Sequence, residues 1–180
     1  MLYFSPVEFQ RNKILLTYPW LQERGLPFIV SADYDGLICA SFLHHYLGWE
    51  LVGYYNLSSL WFSDKAKKNS KNLIWVDLNI LSTEGRAIGG HIVSLKGELP
   101  HGFKSSCNPN IMANLNADKF KEKFPFSTLI FLLWLHDIQI EKELLARMLV
   151  LHSDASWLKY QEYGENVNKW FSGLENYDWK

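Results

Sequence analysis

The sequence predicts an α/β fold: a mostly parallel sheet flanked by helices. Phe28, Ile29 and Val30 form a short apolar run behind Pro27, and the segment that follows carries Leu37, Ala40, Leu43 and Leu47 at helical spacing. Residues 50–57 (ELVGYYNL) then read as a second strand, and a strand, a crossover helix and a strand make the right-handed unit from which parallel sheets are assembled. Two more apolar runs, 73–80 (LIWVDLNI) and 88–93 (IGGHIV), supply a third and a fourth strand.

The remaining elements follow in chain order. Ser5, Pro6 and Glu8 have the spacing of a capping box, so a helix is expected over 5–24, bent or ended near Pro19 and closed by Gly25. Residues 58–72 read as a polar connection carrying Asp64, Lys65, Lys67, Lys68 and Lys71; such lysines are either solvated or in contact with a phosphate backbone. Residues 96–126, with Pro100, Gly102, Asn108-Pro109-Asn110 and Pro125, read as a long excursion holding a short helix near 116–123. Residues 127–136 (STLIFLLWLH) are apolar on all sides, as in a buried helix. Residues 141–151 read as an amphipathic helix with acidic residues in its first turn, where the helix dipole favours them. A last amphipathic helix is expected around 167–174, followed by a loose tail. The expected organisation is an N-terminal helix (1–26) packed on an α/β domain (27–158), with a C-terminal helix and tail (159–180).

Composition narrows the functional classes. The chain has 180 residues, 48% hydrophobic and 16% aromatic, which suits a packed domain and excludes disorder. A net charge of -1 provides no global basic field, so contact with nucleic acid requires a local patch. Eight tryptophans imply a Trp-rich core or a partner interface. Cys39 and Cys107 are far apart and have no metal-ligand spacing, which points to the reduced cytosol and a cytoplasmic protein. No signal peptide is evident, and the longest apolar run, 129–135, is too short to span a bilayer, so no membrane is expected.

The chemistry is concentrated at strand ends. Asp33 and Asp35 follow the first strand and precede a helix, the place where open α/β sheets bind ligands. On an extended chain residues two apart project to one side, so both carboxylates could reach one cation; an acidic turn ahead of a helix is the plain alternative. Asp77 interrupts an apolar strand, which is costly unless the carboxylate is paired, bound to a metal or capping a turn. His91 follows two glycines that permit close backbone approach, and Asp154 follows the amphipathic helix. Four carboxylates and an imidazole suit Mn2+ or Mg2+, and a pair of such ions about 3.5–4 Å apart can polarise a phosphate.

Ordered along the chain, these motifs resemble the DHH phosphoesterase family and, within it, the RecJ-like branch. Ala32-Asp33-Tyr34-Asp35-Gly36 resembles the family's first motif, and Trp75-Val76-Asp77 its second, whose Asp bridges the metals. Gly89-Gly90-His91 falls where the Asp-His-His signature stands, Asn108-Pro109-Asn110 resembles a triplet that follows it, and Asp154 falls at the fourth motif. The resemblance implies one or two Mn2+ or Mg2+ ions held by Asp33, Asp35, Asp77, His91 and Asp154, which would be the catalytic set. It also implies a nucleic-acid or nucleotide substrate; Lys67, Lys68, Asn108 and Asn110 are the candidates to contact it. Two departures stand out: Gly89 and Gly90 replace an acid and an imidazole, and no counterpart of the family's C-terminal substrate-binding domain follows Asp154. The expected function is a metal-dependent phosphodiesterase or nuclease acting on single-stranded nucleic acid or oligonucleotides, aided by a protein partner or homo-oligomer. The alternative is an impaired DHH-like subunit serving as a binding or structural module in a larger nucleic-acid-processing complex.

Overall fold

The computed structural model describes residues 9–56, 58–77, 85–95, 105–140 and 143–174. Its centre is a five-stranded sheet of order β3-β2-β1-β4-β5. Strand β1 (Pro27–Ser31) lies in the middle, parallel to β2 (Glu50–Asn56) on one side and to β4 (Ile74–Val76) on the other. Strand β5 (Arg86–Ile88) continues in parallel beyond β4, while β3 (Ser59–Phe62) is antiparallel to β2 at the opposite edge. The α/β class and the mostly parallel sheet expected from the sequence are thus present.

Residues 28–30 of β1 are apolar because the strand is buried on both faces, and alternate side chains enter different cores. Phe28 and Val30 face the main core, formed with Leu43, Leu47, Ile74, Val76 and the helix α5 (Thr128–Leu135). Ile29 faces the other way into a smaller core of Val52, Ala66 and Leu73. A strand buried on both faces needs a continuous apolar run, which is what 28–30 provides. Each Phe, Ile or Val side chain withdrawn from water here contributes about 1.5–3 kcal/mol. Helix α5 is buried along its whole length and packs on α2 (Tyr34–Leu47). Trp20, Trp49, Trp134 and Trp170 are buried in the main core, whereas Trp61 is 57% exposed beside Tyr54 on the sheet edge.

Helix α1 (Arg11–Thr17) is followed by a 3-10 turn, Pro19–Gln22, and by Gly25 with φ 70, close to expectation. The proposed capping box at Ser5–Glu8 lies outside the described residues. Residues 58–72 are not a plain connection: β3 returns along β2, and α3 (Asp64–Lys68) follows, capped by the Ser63 hydroxyl. The hairpin was hidden because its outward side chains are apolar, with Leu60 and Trp61 exposed, so the run lacks the alternation of a half-buried strand. Strand β5 ends at Ile88, so Gly89, Gly90 and His91 form a loop beyond the sheet instead of a strand. The excursion contains α4 (Pro109–Met112) and a 3-10 segment, Ala117–Glu122. After α5 come α6 (Leu144–His152), α7 (Ser156–Glu162), which the sequence did not announce, and α8 (Gly164–Gly173). None of the described helices is long and apolar enough to cross a membrane.

The turn from β1 into α2 is a close approach of backbone to backbone. A Cβ on Gly36 would lie 2.1 Å from the Ser31 carbonyl oxygen, so only glycine lets the helix start this close to the strand end. Gly36→Ala should therefore destabilise the chain by more than about 3 kcal/mol in a denaturant melt. Gly25→Ala, where a Cβ meets nothing within 4 Å and only the positive φ is strained, should cost about 1–2 kcal/mol. Equal effects would contradict this account of Gly36.

Candidate metal centre

The strand order reverses about β1, since the chain moves outward to β2 and returns to β4 on the other side. The crevice at the carboxyl ends of β1 and β4 is the binding position of such sheets. Asp35 lies in the first turn of α2, just beyond β1, and Asp77 directly follows β4. His91 stands in the loop after β5, and Asp154 in the short 3-10 turn Ser153–Ala155 after α6. Each offers one ligand atom, and the four atoms lie within 4.8 Å of one another. Four of the five residues singled out as metal ligands from the sequence therefore converge.

Asp33 is the exception. Helix α2 begins at Tyr34, so Asp33 and Asp35 are not two residues of one extended segment, and the argument that they project together fails. Asp33 is the helix cap: it is exposed, and its Oδ1 accepts the Gly36 N–H at 2.8 Å. Asp35 is turned inward and is 1% exposed.

The buried acids are held by hydrogen bonds from a helix start. Thr128 N–H donates to Asp35 Oδ2 at 2.7 Å and Leu129 N–H to Asp35 Oδ1 at 3.2 Å. Thr128 Oγ1 donates to Asp77 Oδ1 at 2.7 Å, and Ser31 Oγ lies 2.7 Å from Asp77 Oδ2 and 2.9 Å from Asp33 Oδ1. The first amides of a helix have no partner within it and carry the positive end of its dipole, so they suit a carboxylate. His91 Nε2 stands 2.7 Å from Asp77 Oδ1 and 3.0 Å from Asp154 Oδ2, between the two carboxylates. Asp77 and Asp154 both have positive φ, 57° and 51°, and Ala155 has φ 49. Such backbone is costly for residues other than glycine and gathers at functional sites.

Charge is concentrated here against solvation. Burial first, and the Asp77 and Asp154 carboxylates next, push Asp35 well above the ordinary carboxylate range, while the Thr128 and Leu129 amides pull it partly back. Burial alone would lower His91, but its hydrogen bonds to Asp154 and Asp77 outweigh that and carry it up to about 10. A divalent cation relieves both effects by replacing the imidazole proton and screening the carboxylates. The donors fit a hard ion: three carboxylates and one imidazole, without thiolate. Cys39 lies beside Asp35 at 3.6 Å, but burial pushes its thiol up and keeps it protonated. Opposite ligands of an octahedral Mg2+ stand about 4.2 Å apart, so the cluster has the dimensions of one ion after small side-chain adjustments.

The residues expected to contact substrate lie elsewhere. Asn108 is 6% exposed and caps α4, its Oδ1 accepting from Asn110 N–H at 2.8 Å and its Nδ2 donating to Ile92 O at 3.0 Å. Asn110 is fully buried: Nδ2 donates to Gly90 O at 2.6 Å, and Oδ1 accepts from Phe124 N–H at 2.6 Å. Both asparagines hold the His91 loop in place and present nothing to a ligand. Lys67 and Lys68 are at the wrong end of the sheet. Helix α3 starts beside Val52 and its Lys65 pairs with Glu50, so it lies at the amino end of β2, away from the acidic cluster. The sequence reading passed over Ser31 and Thr128. The available signal was Ser127-Thr128 opening an otherwise apolar helix, a polar pair suited to capping.

Gly89 and Gly90 have filled surroundings. A Cβ at Gly90 would lie 2.7 Å from Phe124 Cδ1, and one at Gly89 3.3 Å from Thr128 Oγ1. A histidine at position 90 therefore displaces Phe124 before it can reach the cluster. No protein-family model matches the chain, and no curated protein and no solved structure matches it significantly.

Thr128→Val, which deletes the hydroxyl on Asp77 at nearly constant volume, should weaken Mn2+ binding about 10–100-fold by calorimetry. Unchanged affinity would remove Thr128 from the site. Because the ion replaces a proton on His91, apparent Mn2+ affinity should rise with pH between 6 and 9, by up to about tenfold per unit. Without the ion the sign is opposite. His91 and Asp35 both have folded pKa values above their ordinary ones, so the stability they contribute is full below those ordinary values and is lost as pH rises, for His91 towards about 10. Melting temperatures with and without Mn2+ should diverge as pH increases; parallel curves would contradict this linkage.

Proposed function

We propose that the chain is a metal-dependent phosphoesterase related to the DHH family, acting on phosphodiesters of single-stranded nucleic acid or oligonucleotides. The observation that carries the reading is the convergence of Asp35, Asp77, His91 and Asp154 at the sheet's switch point. Asp35, Asp77, Asp154 and His91 would hold a single Mn2+ or Mg2+. When bound, that ion supplies Lewis acidity towards a phosphoryl group and towards water. Asp77 is central: its two oxygens meet His91, Thr128 and Ser31, so it fixes the imidazole while remaining available to a cation. Asp154, whose side chain is 30% exposed against 1% for Asp77, is the carboxylate at His91 that a substrate and a water would reach first. Asp33 takes a structural part as the cap of α2.

One ion is favoured over two. Asp33 is engaged as a cap, position 90 has no imidazole, and Phe124 occupies the space one would need. A second reading is a binding subunit of a larger assembly, and one observation favours it. Helix α6 buries no residue and exposes Leu144, Leu145 and Met148 by 71%, 69% and 58%, an apolar surface suited to a protein partner.

The two readings separate in an assay. With Mn2+, the purified chain should release mononucleotides or short products from a single-stranded oligonucleotide, and Asp77→Asn should reduce release to the level of an EDTA blank. Activity that survives Asp77→Asn would remove the acidic cluster from the chemistry. Metal binding without hydrolysis would place the subunit reading first.

A further inference from the structure

A cleft of about 400 Å³ opens beside the acidic cluster, and His91, Asp154, Lys121, Lys123 and Lys159 are among the residues that line it. Its size suits a small ligand or one unit of a chain. The lysines come from two separate parts of the fold: Lys121 and Lys123 from the 3-10 segment Ala117–Glu122 and the residue that ends it, and Lys159 from helix α7. Among the described residues none of the three makes an ion pair. Asp154 is the carboxylate that shares the cleft with them. Lys123 feels this directly: burial and then Lys159 hold its pKa below the ordinary value, while Asp154 acts in the other direction.

The segment that carries Lys121 and Lys123 is fixed to the His91 loop. The fully buried Asn110 side chain donates to Gly90 O and accepts from Phe124 N–H, so one amide joins the His91 loop to the residue after Lys123. Asn166 Nδ2 donates to Lys123 O at 2.8 Å and Trp170 Nε1 to Glu122 O at 2.9 Å, which ties the same segment to α8. Lys123 Nζ also rests 4.8 Å from the centre of the Phe120 ring. Cationic groups are thus held next to an acidic centre without neutralising it. The arrangement suits a ligand that places one anionic group on the lysines and another at the cluster. Phe120 and Tyr163, 54% and 44% exposed at the cleft, offer ring faces to a base.

We propose that this cleft is an anion subsite in which Lys123 and Lys159, with Lys121 at the rim, hold the phosphate next to the one presented to the acidic cluster. The ligand class is a phosphodiester-linked strand. The inference rests on the phosphoesterase reading for what lies at the cluster, but the subsite is built from residues outside it. It gives a single chain its own grip on substrate, and it replaces Lys67 and Lys68 as the contact.

The test is fluorescence anisotropy with a labelled, phosphorothioate-linked hexathymidylate, measured in Mn2+ and again in EDTA. The proteins are the full chain, the Lys123→Gln/Lys159→Gln double variant and, as a charge-matched control, Lys67→Gln/Lys68→Gln. The first double variant should bind at least tenfold more weakly, with its salt dependence lowered by about one unit of log–log slope. The control should bind like the parent. Lys159→Gln alone should give a partial loss, and thermal melts check that each variant is folded. Equal binding by all proteins, equal loss in both double variants, or no binding of the strand by the parent in either condition overturns the subsite. Calorimetry with Mn2+ on the same proteins keeps the two ideas apart. A parent that binds no Mn2+ but shows the lysine-dependent loss in EDTA overturns the metal reading and upholds the subsite. Intact Mn2+ binding and hydrolysis without lysine dependence does the reverse.

Discussion

Everything at the carboxyl edge of the sheet depends on the start of α5 facing two buried carboxylates. Asp35 and Asp77 are 1% and 3% exposed, and a charged group buried to that degree is tolerable only when paired or fully hydrogen-bonded. The Thr128 and Leu129 amides meet Asp35, and the Thr128 hydroxyl meets Asp77. The helix is otherwise apolar and buried, and its polar first turn faces the buried acids. This contact fixes how α5 lies across the sheet, and the main core of α2, α5 and β1 is assembled around it.

The same contact leaves the site electrostatically unbalanced. Hydrogen bonds satisfy the inner oxygens of Asp35 and Asp77, yet three carboxylates still surround one imidazole. His91 is held between Asp77 and Asp154, whose backbones both have positive φ. Burying like charges and straining two loops would be a poor choice for a structural network, where an apolar replacement would do as well or better. It is a good choice for a cation site, where the ion restores the balance. The buried Asn110 then extends the order outward, since it positions both the His91 loop and the lysine-bearing segment across the cleft.

Much of this was legible in the chain. The 28–30 run, the helix that follows it and the carboxylate in 73–77 announced a parallel sheet with acids at its carboxyl end, and His91 and Asp154 were found through their order along the chain. Local geometry was harder to read. The spacing of Asp33 and Asp35 looked like two ligands on an extended segment, but α2 starts at Tyr34, between them, so one acid caps it and the other turns inward. Asn108-Pro109-Asn110 looked like a polar ligand triplet, but its polarity is spent on backbone groups of a buried loop. Lys67 and Lys68 looked like a phosphate contact because sequence reports charge and not which end of a strand it stands beside. The lysines that share a cleft with His91 and Asp154 come from 121–123 and α7, far apart in sequence, and only the tertiary fold brings them together.

The central claim is that four side chains from four separate segments hold a single divalent cation. The most direct test is a calorimetric titration of Mn2+ into the chain near neutral pH, repeated in two buffers of different ionisation enthalpy. This account predicts one ion per chain with net proton release, since the ion takes the place of the proton on His91. No binding, two ions per chain, or binding that releases no proton would contradict it.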